Sequence, residues 1–174
     1  DFYCLSENDI PKAEQPNIIL EAETKELGIS AGPQDRVVAV YGGLVAMDFS
    51  STAYKKNGGL HGTYVNLESD LLPPLFIVYN EKLSKSSGTI HNLIRYKVAV
   101  ENDGKIAEVM AQKAALVDEA ITILREGHPD RLGLIMDRDF DLRRSIYNLS
   151  EEQTGMIDIA RGQGAHAKFS GSGG

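Results

Sequence analysis

The stretch that most constrains this chain runs over residues 28–49, G-I-S-A-G-P-Q-D-R-V-V-A-V-Y-G-G-L-V-A-M-D-F. Its glycines and proline leave few readings. Gly28 suits the left-handed C-terminal position of a preceding helix, which glycine takes at little cost. Pro33 suits a first helical position, where its missing N–H is not needed. Residues 34–41 then predict one or two helical turns, stopped by Gly42 and Gly43, and residues 44–49 predict a buried strand. Asp35 therefore falls in the first turn of a short helix, at the positive end of its dipole and beside Arg36. Both features favour the ionised carboxylate. A carboxylate held there beside glycines can orient or deprotonate a hydroxyl. The same pattern also fits an acid that only complements the helix terminus.

The 174 residues carry a net charge of −7 and are 42% hydrophobic, enough for one domain or two small ones. The acidic balance argues against nucleic acid as a partner, which would call for a basic patch. Cys4 is the single cysteine, so no internal disulfide forms and a reducing, cytoplasmic setting is expected. No apolar run is long enough to span a bilayer, so no membrane partner is expected. Both ends read as cut. Residues 1–5 look like the tail of a helix, and the chain stops on G-S-G-G directly after A-K-F, so a fragment of a longer protein is expected.

Residues 6–15 read as a polar surface loop, and Pro16 as the opening of a helix with Ile18, Ile19, Ala22 and Leu27 on its apolar face. Glu21 and Lys25 form an i,i+4 pair, and Glu21 and Glu23 read as solvated surface. Residues 50–62 read as an exposed mobile loop holding Lys55, Lys56 and a lone His61. No second His or Cys stands at metal spacing, and no residue is assigned as a metal ligand. Residues 63–67 predict a short strand. The run L-F-I-V-Y, residues 75–79, predicts a buried one, with a domain boundary just before it. Ser84 to Thr89 is a hydroxyl-rich loop.

Residues 90–126 predict two helices. The first carries His91 and Arg95 on one face. The second carries a core stripe of Ile106, Val109, Met110, Lys113, Leu116, Val117, Ala120 and Leu124. Gly127 caps it, and Pro129 opens a charge-dense helix with Leu132, Ile135, Met136, Phe140, Arg143 and Tyr147 at the helical period. Arg138, Arg143 and Arg144 can reach an anion or pair with Asp137, Asp139 and Asp141, the ordinary outcome. Ser150 and Gln153 predict a capping box. Gly162 and Gly164 end that helix, and A-H-A-K-F predicts a strand running into the glycine-rich turn, whose backbone N–H groups can approach a phosphate.

Three stretches, taken together, resemble the GHMP kinases, the superfamily named for galactokinase, homoserine kinase, mevalonate kinase and phosphomevalonate kinase. A-G-P-Q-D-R-V-V-A-V-Y-G-G-L-V-A-M-D-F resembles the segment bearing the catalytic Asp. L-I-M-D-R-D-F-D-L-R-R resembles a helix of the glucuronokinase branch. A-H-A-K-F-S-G-S-G-G resembles the third motif, the C-terminal glycine-rich loop. L-L-P-P-L-F-I-V-Y and S-G-T-I-H-N-L-I-R are also similar to that branch.

The resemblance implies an α+β, two-domain fold, incomplete here. Residues 1–70 would form the C-terminal part of a ribosomal protein S5 domain 2-like domain, and residues 71–174 a ferredoxin-like domain truncated after the third motif. It implies transfer of the γ-phosphoryl of ATP to the anomeric hydroxyl of D-glucuronate, giving glucuronate 1-phosphate, with Mg²⁺. Asp35 matches the catalytic carboxylate. Gly171, Ser172, Gly173 and Gly174 match the glycine loop. Gln34 is a candidate for binding the sugar, and Arg36 and Arg95 are candidates for its carboxylate, because guanidinium pairs with carboxylate in two-pronged fashion. Arg36 can instead serve only to hold Asp35 ionised, and Ser87 and Thr89 can face phosphates or cap the next helix.

Two departures stand out. Pro33 occupies a position where the family has an apolar Leu. The P-x-x-x-G-L-x-S-S-A loop for ATP is absent and is expected before Asp1, so the isolated chain is expected to be inactive. Other readings are a kinase of another sugar (a heptose phosphate, fucose or galactose) and a non-catalytic sugar-binding relative. In a full-length enzyme containing this sequence, Arg95→Ala should raise KM for glucuronate selectively; an unchanged KM removes Arg95 from the site.

Overall fold

Proline and glycine set most element boundaries in the computed structural model, which describes residues 9–79 and 104–171. The architecture is α+β, mostly helical, with one two-stranded antiparallel sheet among the described residues. The chain divides into two compact units, Asp1–Ser69 and Asp70–Gly174.

In the first unit, helix α1 spans Gln15–Glu21, with the buried Pro16 in its first turn. It runs on as a π-helical stretch, Ala22–Glu26, and Gly28 (φ 64°) ends it. The apolar spacing predicts a buried face of Ile18, Ile19, Ala22 and Leu27. These residues are instead exposed, because no described residue covers them. Helix α2 spans Pro33–Tyr41, with Pro33 at its start, Val37 fully buried, and Gly42 (φ 69°) as its C-terminal stop.

Strand β1, Leu44–Asp48, pairs with β2, Thr63–Leu67, in the register Leu44↔Leu67 to Asp48↔Thr63. β1 is half-buried rather than buried. Between the strands, the expected loop at 50–62 contains a helix, α3, Ser51–Lys56. Ser50 caps it: its hydroxyl accepts from the Ala53 N–H at 3.1 Å while its own N–H donates to Asp48 Oδ1 at 2.8 Å. Lys55 and Lys56 fall in its last turn, where cations complement the dipole. The remaining turn is tied down by Asn57 Nδ2, which donates to the Gly62 carbonyl at 2.8 Å. Gly62 is required by proximity, since a Cβ there would lie 2.4 Å from the Asp48 carbonyl oxygen.

In the second unit, helix α4 spans Gly104–Arg125 and buries Ile106, Val109, Leu116, Ile123 and Leu124. Met110 and Val117 of the expected stripe remain over a third exposed. Gly127 (φ 77°) turns the chain. Pro129 opens a 3-10 turn, Pro129–Arg131, that leads into α5, Leu132–Ile146, which packs on α4. Helix α6, Glu151–Gly162, begins with the expected capping box of Ser150 and Gln153. Among the described residues no helix is long and apolar enough to cross a membrane.

Two expected strands are absent. Residues 75–79 form no strand, and Leu75, Phe76, Ile77, Val78 and Tyr79 are 52–89% exposed. Residues 165–169 form none either; they lie along α5 instead. A strand needs a ladder partner for its backbone groups, and neither segment has one among the described residues. The core of this unit centres on Phe140, which has no exposed surface and meets Phe169 edge-on at 5.1 Å. Phe140→Ala should cost about 3–5 kcal/mol, the usual penalty for emptying a buried aromatic site. Urea unfolding would show this as a lower midpoint at unchanged slope.

Candidate functional site

At the start of α2 the sequence places Gln34, Asp35 and Arg36 within one helical turn. Pro33 fixes the first turn, and the extended Gly32 before it lets the chain enter sharply. The Asp35 side chain projects outward, 87% exposed, and Gln34 is exposed beside it. Arg36 folds back, with its side chain only 14% exposed. Its Nη1 donates to the Gly32 carbonyl and to Asp35 Oδ2, both at 3.2 Å. Its Nη2 pairs with Glu23, in the π-helical stretch. Glu23 is therefore not the solvated acid that its sequence suggests. It anchors the guanidinium that flanks Asp35, so three charged groups from two elements are set around one helix terminus. No signal local to Glu23 marks it, because the pairing spans thirteen residues.

A second cluster lies on α5. Asp137 Oδ1 accepts from Arg161 Nε at 2.9 Å and from the Ala167 N–H at 3.1 Å, and its Oδ2 meets His166 Nδ1 at 2.6 Å. Arg161 also reaches the Asp137 carbonyl at 2.9 Å and Asp141 at 2.7 Å. Asp139 pairs with Lys113 of α4 and, at 2.9 Å, with Lys168. Burial pushes both carboxyls up. For Asp137, His166, the Ala167 N–H and Arg161 outweigh that push, and for Asp139 the two lysines do, so each ends below its ordinary value.

Of the arginines named as anion candidates, Arg138 and Arg144 pair with acids of other helices, while Arg143 also feels the charge of Asp139 on its own helix. Arg138 pairs with Glu119 at 2.7 Å and Arg144 with Asp158 at 3.7 Å. Arg143 donates to the Gly171 carbonyl at 2.6 Å and lies over the Tyr147 and Phe169 rings. Burial pulls its guanidinium below the ordinary value. The sequence marks Asp137 and Asp139 only as partners for the arginines of their own helix, and gives no role to Arg161, His166 or Lys168. The i,i+4 spacing of Asp137 and Asp141 is the signal that could have marked one shared face.

Two curated proteins of Arabidopsis thaliana match this sequence. "Probable glucuronokinase 2" is 44% identical over 178 positions, covering 100% of this chain and 47% of its own length. "Glucuronokinase 1" is 42% identical over 163 positions, covering 92% of this chain and 44% of its own length. This chain is similar to both proteins over all or nearly all of its length. It spans about half the length of the curated relatives it matches. No family model matches the chain, and no solved structure does.

The structure brings together Gln34, Asp35 and Arg36. It describes Gly171, whose carbonyl is held by Arg143. Ser87, Thr89, Arg95, Ser172, Gly173 and Gly174 lie outside the described residues, as do His91 and the expected helix remnant at residues 1–5. His61 is half-buried, with Nδ1 2.7 Å from the Gly62 carbonyl. Among the described residues no group of three or more His, Cys, Asp or Glu side chains could hold a metal.

The carboxyls of Asp137 and Asp139 titrate lower in the folded chain than in the unfolded one. Their stabilising contribution is thus complete above about pH 4 and is lost as pH falls through the depressed folded values. Lys113→Met should lower stability at neutral pH and flatten the fall in stability below about pH 4, as read by thermal melting across a pH series.

Proposed function

We propose that this chain is the part of an ATP-dependent sugar kinase that carries the catalytic carboxylate, acting on D-glucuronate. The observation that carries the reading is identity of 44% and 42% to two proteins named glucuronokinases, over all or nearly all of the chain. The geometry at the start of α2 supports it. Asp35 is outward-facing on a fixed helix terminus, and Arg36, itself held by Glu23 and Gly32, flanks it. In this reading Asp35 orients the anomeric hydroxyl and accepts its proton. The hydroxyl oxygen then bonds to the γ-phosphorus of ATP while the bond from that phosphorus to the β-phosphate oxygen breaks. The products are ADP and glucuronate 1-phosphate. Phosphoryl transfer asks the protein mainly to position groups and to stabilise charge, which one carboxylate and a loop of N–H donors can do.

Arg36 is assigned to bracketing Asp35 rather than to reading the uronate, because two of its nitrogens already serve protein acceptors. Arg95 is the assigned reader of the uronate carboxylate, and Gln34 contacts the sugar. Gly171, Ser172, Gly173 and Gly174, with Ser87 and Thr89, are assigned to the phosphates. Mg²⁺ enters with ATP, since such sites hold it mainly through phosphates and one or two carboxylates. The two-domain GHMP kinase fold, with residues 1–70 and 71–174 as its S5-like and ferredoxin-like parts, is part of this proposal. The division into two compact units accords with it.

ADP release by a full-length protein containing this chain, with glucuronate, galacturonate, galactose or no sugar, tests the reading. Glucuronate-dependent release is expected, with Asp35→Asn lowering kcat about 10²–10⁴-fold, the usual contribution of a positioned base. Turnover on galactose instead would discard the substrate and keep the kinase. No turnover with any sugar would favour a non-catalytic binding relative.

A further inference from the structure

Helix α5 offers one face to the segment that precedes the glycine-rich loop. Gly133, Asp137 and Asp141 recur at one-turn intervals along it. At Gly133 the helix has no side chain, and His166 fills the space: a Cβ there would lie 2.1 Å from His166 Cδ2. One turn on, Asp137 takes His166 Nδ1 at 2.6 Å and the Ala167 N–H at 3.1 Å. Arg161 of α6 locks that carboxylate by also holding the Asp137 carbonyl and Asp141. Lys168 reaches Asp139, and Phe169 rests edge-on against Phe140. Finally, Arg143 Nη1 donates to the Gly171 carbonyl at 2.6 Å. Five residues between 166 and 171 are thus each held by α5.

Two of these contacts are to main chain, at Ala167 N–H and Gly171 C=O, so they fix the path of the backbone whatever the side chains do. That matters because G-S-G-G follows directly. A glycine-rich segment loses more conformational freedom on ordering than any other. Backbone N–H groups stabilise developing charge only if they are oriented beforehand. Pinning the entry to such a loop lowers the conformational entropy that remains to be lost.

We propose that Asp137 and Arg143 are positioning residues for the phosphoryl side of the reaction: they seat residues 166–171 on α5 and so fix where the glycine loop begins. This rests on the kinase reading above, in which that loop approaches the transferred phosphoryl. Neither residue touches substrate. Their loss acts on ATP and on turnover, and leaves recognition of the sugar alone.

The test uses a full-length protein containing this chain, with Asp137→Ala and, as the conservative variant, Asp137→Asn, which keeps an acceptor for the Ala167 N–H. Peptide-resolved hydrogen exchange reads the seat, and steady-state kinetics with ATP and glucuronate reads its effect. In Asp137→Ala, exchange over 165–171 should rise at least about tenfold with α4 unchanged, as for loss of a local rather than global hold. kcat should fall about 10–100-fold, the cost of misplacing a group near the reacting atoms. KM for ATP should rise, KM for glucuronate should stay constant, and Asp137→Asn should restore most of both readouts.

Faster exchange with unchanged kinetics overturns the positioning role, as does a loss of protection spread through α4 that Asn does not rescue. A selective rise in KM for glucuronate overturns it too. A wild-type protein that releases no ADP with any sugar, yet shows the exchange effect, sinks the kinase reading and this role with it. Wild-type turnover that Asp137→Ala leaves intact sinks this role alone.

Discussion

The carboxylate of Asp137 is the interaction on which the second unit depends. It joins three pieces of chain: α5, α6 through Arg161, and residues 166–167. Its side chain is about a quarter exposed, so water only partly compensates if a partner is removed. In such networks the loss of one member leaves others under-satisfied, and the cost exceeds that of a single surface pair. Phe140 supplies the apolar bulk beneath, and the polar network decides which segment lies on top. Burial drives the packing and charge pairing selects the path.

The first unit repeats this logic around Arg36. A π-helical stretch and a glycine-led helix start are both irregular elements. The guanidinium bridges them through Glu23 and the Gly32 carbonyl. Asp35 inherits its position from that bridge. Its outward, exposed carboxylate is therefore held by backbone geometry and one neighbouring cation rather than by being packed into a core. Such an arrangement keeps the carboxylate accessible to a small molecule while limiting the rotation of the element that bears it.

Much of the local architecture could be read from the sequence, because it is written in residues whose effect is local. Gly28, Pro33, Gly42 and the Ser150–Gln153 box set helix ends through their own backbone demands, and the structure places ends where they predicted. Helix α3 is not legible in the sequence because Gly58, Gly59 and two lysines dominate the composition of its neighbourhood, while its signal is a single capping Ser50. The segments at 75–79 and 165–169 depart from their sequence pattern for a different reason. A run of apolar or alternating residues says that a segment would suit a strand, but a strand also needs a partner, and pairing is not local information. The same divide holds at the candidate site. Asp35 stood out from its own few neighbours, whereas Glu23, Asp137 and His166 acquire their roles from residues 13 to 30 positions away.

Gly133 has a consequence for how this sequence can change. Glycine inside a helix is ordinarily a weak point, and replacing it with alanine ordinarily stabilises a protein by trimming the freedom of the unfolded chain. At this position the sign should reverse, because the room beside the helix is already taken by an imidazole. A substitution that improves α5 as a helix would evict the residue that α5 exists to hold. Helix strength and loop placement therefore compete at one atom, and drift toward a better helix former is closed to residue 133 unless residue 166 shrinks in the same step.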